Sequence, residues 1–299
     1  MAPLFYLLWI LTQGALALLL RPLAPHSMFG GRGASSRAAA LLGLSSLCVI
    51  LGTALFLLLG APGGRLVLSL APFAPAMLLR RFFHSAGAAP GARHRRLEGP
   101  FVAGLLAAGC LFGFGATFLP AFQYDSLLYH LPSASLAWQQ KSLFVVGTHP
   151  QIGANPFTAE LPKVWAFAFS GDDSLASATQ VPYLLGLAFL AHAFAGRLGA
   201  PPALAMGAAL FTALTPKAFD LASSPNVDLI AGFWGAACAW LLAFGSPLTA
   251  AAALTLFAQL KYTTLLPAGA GALLLAWRQR GRPALAVTWL ALFVAVGGC

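Results

Sequence analysis

The sequence predicts an all-α polytopic membrane protein with about nine or ten transmembrane or re-entrant helices. Of its 299 residues, 59% are hydrophobic and only 8% are charged, against roughly 25% charged residues in an ordinary soluble domain. Apolar runs of spanning or near-spanning length recur along the whole chain. The longest interruption, residues 121–175, is predicted to be a large outer loop that carries an interfacial helix.

The predicted helices correspond to the apolar runs, which lie near residues 3–20, 38–60, 65–79, 100–120, 176–195, 202–216, 228–244, 248–260, 264–277 and 284–299. The first run has no positive charge before Arg21, unlike a cleaved signal peptide, so we expect a retained helix with its N-terminus outside. The last run ends in VAVGGC without a polar residue beyond it. The sequence is therefore expected to be a fragment of a longer chain.

The distribution of charge predicts which loops are cytoplasmic. These loops are residues 21–37, 80–98, 197–201, 245–248 and 278–283. With them inside, 12 of the 13 arginines are cytoplasmic, with Arg65 as the exception, as the positive-inside rule expects. All four lysines and six of the seven acidic residues then lie outside or at membrane depth.

The same orientation constrains residues 248–277, which must leave the cytoplasmic side and return to it in about 30 residues. Two helices of 12–14 residues reach only about 20 Å each, short of a hydrocarbon core of about 30 Å. The sequence therefore predicts a short helical hairpin that turns inside or just beyond the membrane at Lys261-Tyr262-Thr263-Thr264. Irregular backbone at that depth is tolerated where it lines a cavity or is buried in protein.

Two other classes of protein are disfavoured. The net charge of +10 comes from arginines beside apolar segments, and no basic face alternates with aromatic residues, so nucleic acid is not expected as a partner. The four cysteines form no CxxC or Cys/His cluster. They are expected to be inert buried thiols rather than zinc ligands or a disulfide framework.

Asp125 is the candidate catalytic residue of the outer loop. It stands at the start of a predicted helix over residues 126–140, and a carboxylate at the lipid–water boundary could take a proton from an acceptor hydroxyl. The alternative is that Asp125 is only the N-cap of this helix.

The same loop supplies the candidate substrate-binding residues Tyr129, His130, His149 and Glu160. Tyr129 and His130 could instead be interfacial anchors or packing residues, because rings favour the headgroup level of a membrane. Gly171-Asp172-Asp173 is predicted to form a turn.

Asp228 and Lys261 complete the candidate substrate-binding set. Asp228 begins an apolar run and could be only a helix-start residue, whereas Lys261 is ionisable at membrane depth, which makes it a functional candidate. Lys261 could also merely extend its ammonium to the surface. Because carboxylates provide a base and a lysine provides a charge for phosphate, the set favours transfer from a phosphate-linked lipid over transport of a neutral solute.

Three segments of the sequence resemble the GT-C superfamily of membrane glycosyltransferases, in the branch of protein O-mannosyltransferases and aminoarabinose transferases. They are YDSLLYHLPSASLAWQQKSL, SPNVDLIAGFWGAACAWLL and LTLFAQLKYTTLLPAGAGALLL. The resemblance covers about residues 100–277. It implies a core over residues 100–299, incomplete at its C-terminus, and additional N-terminal transmembrane helices with a basic cytoplasmic loop over residues 1–99.

The resemblance implies inverting transfer of a hexosyl or pentosyl group from a polyprenyl-phosphate donor to a lipid, glycan or protein acceptor. Asp125 would be the base or the acceptor-binding acid, Asp228 a polar residue of the cavity, and Lys261 a contact to the donor phosphate. The reaction would occur on the outer, periplasmic face of a bacterial cytoplasmic membrane. Because Ser126 replaces the second acid that family members often carry, the resemblance leaves open whether a divalent metal takes part or no cofactor is needed.

Two other functions remain as alternatives. A transporter or flippase of a lipid-linked substrate would use a similar charged cavity but needs access from both faces, and few charges lie in the inner halves of the predicted spans. A non-catalytic membrane subunit is the third possibility.

Overall fold

A computed structural model describes residues 2–23, 33–60, 64–83, 98–121, 123–143, 152 and 156–281 of the chain. Every regular element in these residues is helical, which confirms the all-α prediction. The α-helices are α1 (Ala2–Leu20), α2 (Ala34–Leu58), α3 (Gly64–Leu70), α4 (Phe73–Phe83), α5 (Glu98–Ala116), α6 (Leu131–Gln140), α7 (Leu161–Ser170), α8 (Val181–Arg197), α9 (Pro202–Leu214), α10 (Pro216–Ala222), α11 (Asp228–Phe244), α12 (Pro247–Ala258) and α13 (Leu265–Arg278).

Four helical segments within the described residues are long and apolar enough to cross a membrane. They are Pro3–Leu23, Ala34–Leu58, Glu98–Ala116 and Ser177–Arg197. A helix suits such sequences because it satisfies all its internal backbone hydrogen bonds without water. The apolar helices α9, α11 and α12 are shorter than this group.

The apolar run at 65–79 differs from the single helix that the sequence predicts. The structure divides it into α3 and α4, with a turn at Ala71 and Pro72. Pro72 has no N–H to continue the helix, and the Ala71 N–H bonds to the carbonyl of Leu68 in a tighter turn. The turn also packs against α2, because a Cβ on Gly52 would lie only 2.5 Å from the Ala71 carbonyl oxygen.

The short hairpin predicted for residues 248–277 is confirmed as a pair of helices. α12 has 12 residues and α13 has 14, and the 3-10 turn Tyr262–Thr264 joins them after Lys261. The Thr264 hydroxyl oxygen lies 2.6 Å from the carbonyl oxygens of both Phe257 and Lys261, which share its single proton. These bonds satisfy backbone groups that the two helix ends leave open, and they hold Lys261 at the tip.

The exceptional arginine of the charge pattern has a specific partner. Arg65 Nε lies 3.1 Å from the carbonyl oxygen of Ala168, and Nη2 lies 2.7 Å from that of Phe169. These are the last carbonyls of α7, where the helix dipole favours a positive charge. Arg65 therefore lies beside the loop of residues 121–175 rather than with the other arginines.

At the opposite end of the bundle, the starts of α2 and α5 meet through Glu98. Its Oε1 accepts a hydrogen bond of 3.0 Å from the Ser35 N–H, in the first turn of α2. Arg80 and Arg81 at the end of α4 line a cavity with Leu19 of α1. Helix ends that carry arginines thus lie at one end of the bundle, and the residues of the loop 121–175 lie at the other.

Candidate functional site

Asp125 is not a helix cap. It has helical backbone angles, φ −62° and ψ −36°, and its side chain makes no capping hydrogen bond, whereas an N-cap residue takes non-helical angles and accepts from the following turn. The helix that was predicted over 126–140 begins with a π-helical turn, Ser126–His130, closed by a bond from the Leu131 N–H to the Ser126 carbonyl. The capping alternative is therefore wrong, and the exposed Asp125 carboxylate is available for another role.

Tyr129 is the partner of Asp125. Its hydroxyl hydrogen-bonds to the Asp125 carboxylate, and its side chain is only 8% exposed. Burial, followed by the charge of Asp125 and its hydrogen bond, raises the pKa of Tyr129 to about 12, and the more distant charge of Asp228 acts in the same direction. Tyr129 is thus a protonated donor at neutral pH, and it is buried rather than an anchor exposed at a membrane surface.

Behind this pair lies a buried ionic cluster of His130, Glu160 and Lys163. Glu160 Oε1 lies 2.5 Å from His130 Nδ1, and Oε2 lies 2.5 Å from Lys163 Nζ. The three side chains are at most 6% exposed. His130 Nε2 is buried and has no hydrogen-bond partner among the described residues, so it could bond to a water or to a polar atom of a ligand.

The charges of this cluster offset one another. Burial alone would raise the pKa of Glu160, but the Lys163 ammonium and the hydrogen bonds from His130 and Lys163 outweigh it and lower that pKa. Burial lowers the pKa of Lys163, and the charges of Glu160 and, more weakly, Asp228 oppose this. Lys163 therefore lies within electrostatic reach of Asp228 at the start of α11.

Asp228 and Lys261 form a second ion pair. Lys261 Nζ donates to Asp228 Oδ1 at 2.7 Å, and the two side chains are 20% and 37% exposed, respectively. Lys261 comes from the hairpin turn, and Asp228 is the first residue of α11. The pair is partly open to its surroundings, unlike the cluster around Glu160.

A hydrogen-bond network holds the loop and α11 in register. Gln123 Nε2 donates to Asp220 Oδ2 at 3.0 Å, and Asn226 Nδ2 donates to Gln123 Oε1 at 3.1 Å. Gln123 stands two residues before Asp125, and Asn226 stands two residues before Asp228. Lys217 also reaches Asp220, at 3.1 Å. The network therefore fixes the two segments that carry Asp125 and Asp228.

The structure thus brings together most of the residues predicted for the site. Tyr129 lies next to Asp125 and within electrostatic reach of Asp228, which pairs with Lys261, while His130 and Glu160 are buried nearby. His149 lies outside the described residues. The predicted turn is present, since Gly171 has φ +82° and the Ser174 N–H bonds to Asp172 Oδ1 at 3.0 Å.

Lys163 is the member of the cluster that was not singled out as a site residue. The signal available was its position three residues after Glu160 in TAELPKVWAFAF, since residues three apart share a helix face. The apolar residues that follow indicate a buried helix, in which an unpaired lysine would be costly.

Neither the comparison with known proteins nor the grouping of possible metal ligands assigns a function to these residues. The chain matches no protein-family model, no curated protein and no solved structure. Within the described part of the chain, no three His, Cys, Asp or Glu side chains are grouped as metal ligands. Ser126, directly after Asp125, has a fully buried side chain.

Proposed function

We propose that the protein is an inverting membrane glycosyltransferase of the GT-C type, which moves a hexosyl or pentosyl group from a polyprenyl-phosphate donor to an acceptor hydroxyl. The observation that carries the proposal is that Tyr129 pairs with Asp125 and also lies within electrostatic reach of Asp228, the partner of Lys261. A base and a phosphate-binding cation are the two groups that such a transfer needs.

Asp125 is the general base in this proposal. Its exposed carboxylate accepts a hydrogen bond from Tyr129, which orients it while leaving lone pairs for the acceptor hydroxyl. Tyr129 cannot compete as the base, because its hydroxyl keeps its proton at neutral pH. Asp125 takes the acceptor's proton as the acceptor oxygen bonds to the anomeric carbon.

Lys261 binds the phosphate that leaves. One of its three N–H groups donates to Asp228, which leaves two donors for phosphate oxygens. As the bond between the anomeric carbon and the phosphate oxygen breaks, the electron pair remains on the polyprenyl phosphate, and the ammonium stabilises that charge. Displacement from the opposite face inverts the anomeric carbon.

The membrane arrangement belongs to the same proposal. The bundle would cross a bacterial cytoplasmic membrane with about nine or ten transmembrane or re-entrant helices and carry the site on the outer face. The separation of the other arginines from the site supports this orientation. Arg65, the exception, has specific partners of its own in two carbonyl oxygens near the end of α7. The acceptor could be a lipid, a glycan or a protein.

A proton-coupled transporter is the second candidate, favoured by the buried cluster of His130, Glu160 and Lys163. Buried ionisable groups of this kind form proton relays in transporters. The gathering of these groups at one end of the bundle favours transfer instead, because transport needs access from both faces.

The deciding experiment uses the full-length protein purified into lipid vesicles with a polyprenyl-phosphate sugar and a soluble glycan acceptor. Formation of a glycosylated acceptor supports the proposal, and its loss in Asp125→Asn assigns the base. Movement of the donor between leaflets without any sugar transfer would replace the proposal with the transporter.

A further inference from the structure

A groove separate from the charged site opens among the four candidate membrane spans. Its cavity is about 300 Å³, many times the roughly 10–15 Å³ that one water-sized group needs, so it has room for a chain of atoms. The walls come from α1, α2, α5 and α8 and are mainly apolar. Gly14 on α1 leaves one side open, since a Cβ there would meet no atom within 4 Å.

The groove adjoins a smaller, more enclosed cavity, here called the polar cavity because Ser45, Ser46 and Tyr183 are among its lining residues, although most of its exposed surface is apolar. This cavity has a volume of about 20 Å³ and shares Trp9, Gln13 and Ser45 with the groove. It continues to Ser46, whose hydroxyl donates to the Tyr183 hydroxyl at 3.1 Å. About one water-sized polar group fits there, so a chain in the groove would have room for one oxygen function at its end.

Trp9 provides the observation that points to a ligand. Its side chain is 2% exposed, and its Nε1–H has no hydrogen-bond partner among the described residues. A buried donor without an acceptor is unfavourable, and Trp9 lines both the groove and the polar cavity. An acceptor oxygen placed where the two meet would satisfy the indole.

The lining also restricts the charge of the ligand. None of the described residues that line the groove or the polar cavity is Asp, Glu, Lys, Arg or His. A charged head would lose its hydration without gaining a counter-ion there. A phosphate-linked donor is therefore excluded from this place, and the ligand's oxygen belongs to an uncharged group.

We propose that the groove binds an uncharged single-chain lipid whose terminal hydroxyl or carbonyl oxygen accepts a hydrogen bond from Trp9 Nε1. The chain of this lipid occupies the apolar groove between α1 and α5. Its head lies against the back of α7, because the Trp9 ring is 6.2 Å from that of Trp165. The site does not depend on the transfer reaction proposed above.

The test uses a 1-decanol analogue that carries a diazirine at its apolar end, with the full-length protein in detergent. After illumination, labelled peptides are identified by mass spectrometry, and 1-decanol or undecane, which has the same number of non-hydrogen atoms, is added as a competitor. We expect labelling of the walls of α1 and α5, and at least fivefold stronger competition by 1-decanol. Equal competition by the two, or labelling spread over all helices, would overturn the proposal.

Two matched pairs of variants locate the effect. Gly14→Leu fills the groove and should abolish this labelling, whereas Gly104→Leu should not, because Gly104 also has no atom within 4 Å of an added Cβ but lies outside the groove. Trp9→Phe should reduce the preference for 1-decanol over undecane to less than twofold, whereas Trp277→Phe on the exposed face of α13 should keep it. Folded yield is measured for all four; labelling that persists in Gly14→Leu, or a preference that survives in Trp9→Phe, contradicts the assignment.

Discussion

Lys261 Nζ lies 2.7 Å from Asp228 Oδ1, and this contact joins the tip of the α12–α13 hairpin to the first residue of α11. The two helices of the hairpin, with 12 and 14 residues, are each too short to cross a bilayer of usual thickness. The contact explains why a lysine is tolerated there, since its charge has a counter-ion. It also distinguishes Lys261 from a lysine that only extends its ammonium to the surface.

Lys261→Met should weaken binding of the polyprenyl-phosphate donor by roughly 10- to 150-fold, because a charge-assisted hydrogen bond is worth about 1.5–3 kcal/mol. The measurement is donor affinity of the purified protein, with folded yield alongside. Lys217→Met is the control, since Lys217 is 72% exposed and pairs with Asp220 rather than with Asp228. Equal affinity in Lys261→Met and the parent would reduce Lys261 to a structural partner of Asp228.

Asp125→Asn should slow sugar transfer at least a hundredfold while the folded yield stays normal. Asn can still accept the hydrogen bond from Tyr129, but it cannot take a proton near neutral pH, and a general base contributes about 10²- to 10⁴-fold. Asp173→Asn, at an exposed turn of the same loop, should transfer at the parental rate. Parental turnover in Asp125→Asn would move the search for the base to Asp228.

The buried pair of Glu160 and Lys163 should couple far more strongly than the exposed pair of Lys217 and Asp220, although both are spaced three residues apart. Glu160→Gln and Lys163→Met should each lower the free energy of unfolding by about 3–5 kcal/mol, because each leaves a buried charge unpaired. The double variant should lose much less than the sum. Lys217→Met with Asp220→Asn should couple by only about 0.2–1 kcal/mol.

These couplings are measured by reversible unfolding in mixed micelles, as a double-mutant cycle. Additive losses at Glu160 and Lys163 would mean that the two charges do not interact in the folded protein.

The contribution of Glu160 to stability should disappear in acid. Its pKa in the fold is lowered from 4.5, so the unfolded chain takes up the proton first as the pH falls. The difference in unfolding free energy between the parent and Glu160→Gln should be constant from about pH 7 to about pH 5 and should shrink as the pH drops further, through the folded pKa. A difference that already shrinks above pH 5 would mean that burial dominates and raises this pKa.

Single cysteines test the orientation in the membrane. In a background with the native cysteines replaced by alanine, Asp173→Cys should be labelled by an impermeant reagent in intact cells and Leu198→Cys should not. Both positions are exposed, and Leu198 lies in the predicted cytoplasmic loop 197–201. The reverse pattern would place the candidate site inside and contradict the proposed donor.

The sequence was a good guide where a simple length or charge argument applied. The hairpin at Lys261 follows from counting residues between the two predicted cytoplasmic loops 245–248 and 278–283, and the exceptional position of Arg65 follows from the charge pattern. Asp228 at the start of α11 follows from the edge of an apolar run. These features depend on local sequence and on helix geometry.

Other features depend on packing and were not predicted. Lys163 is fully buried because α7 is enclosed by its neighbours, and no local pattern specifies which face of that helix is covered. The break at Pro72 does not show in the hydropathy pattern, because apolar residues continue on both sides of it. The backbone angles of Asp125, which decided against a cap, reflect a π-helical turn that the apolar spacing of residues 126–140 does not reveal.

The π-helical turn Ser126–His130 sets the position of Asp125 relative to the residues that follow it. It adds one residue to the turn, and each residue of an α-helix advances by about 100° around the axis. Removing one residue between Asp125 and Tyr129 would restore regular α-helix and place Asp125 three residues before Tyr129 instead of four, still on one face of the helix. A one-codon deletion here should therefore preserve the helix but move the exposed carboxylate along the axis by about 1.5 Å, the rise of one residue, relative to Tyr129 and the buried cluster.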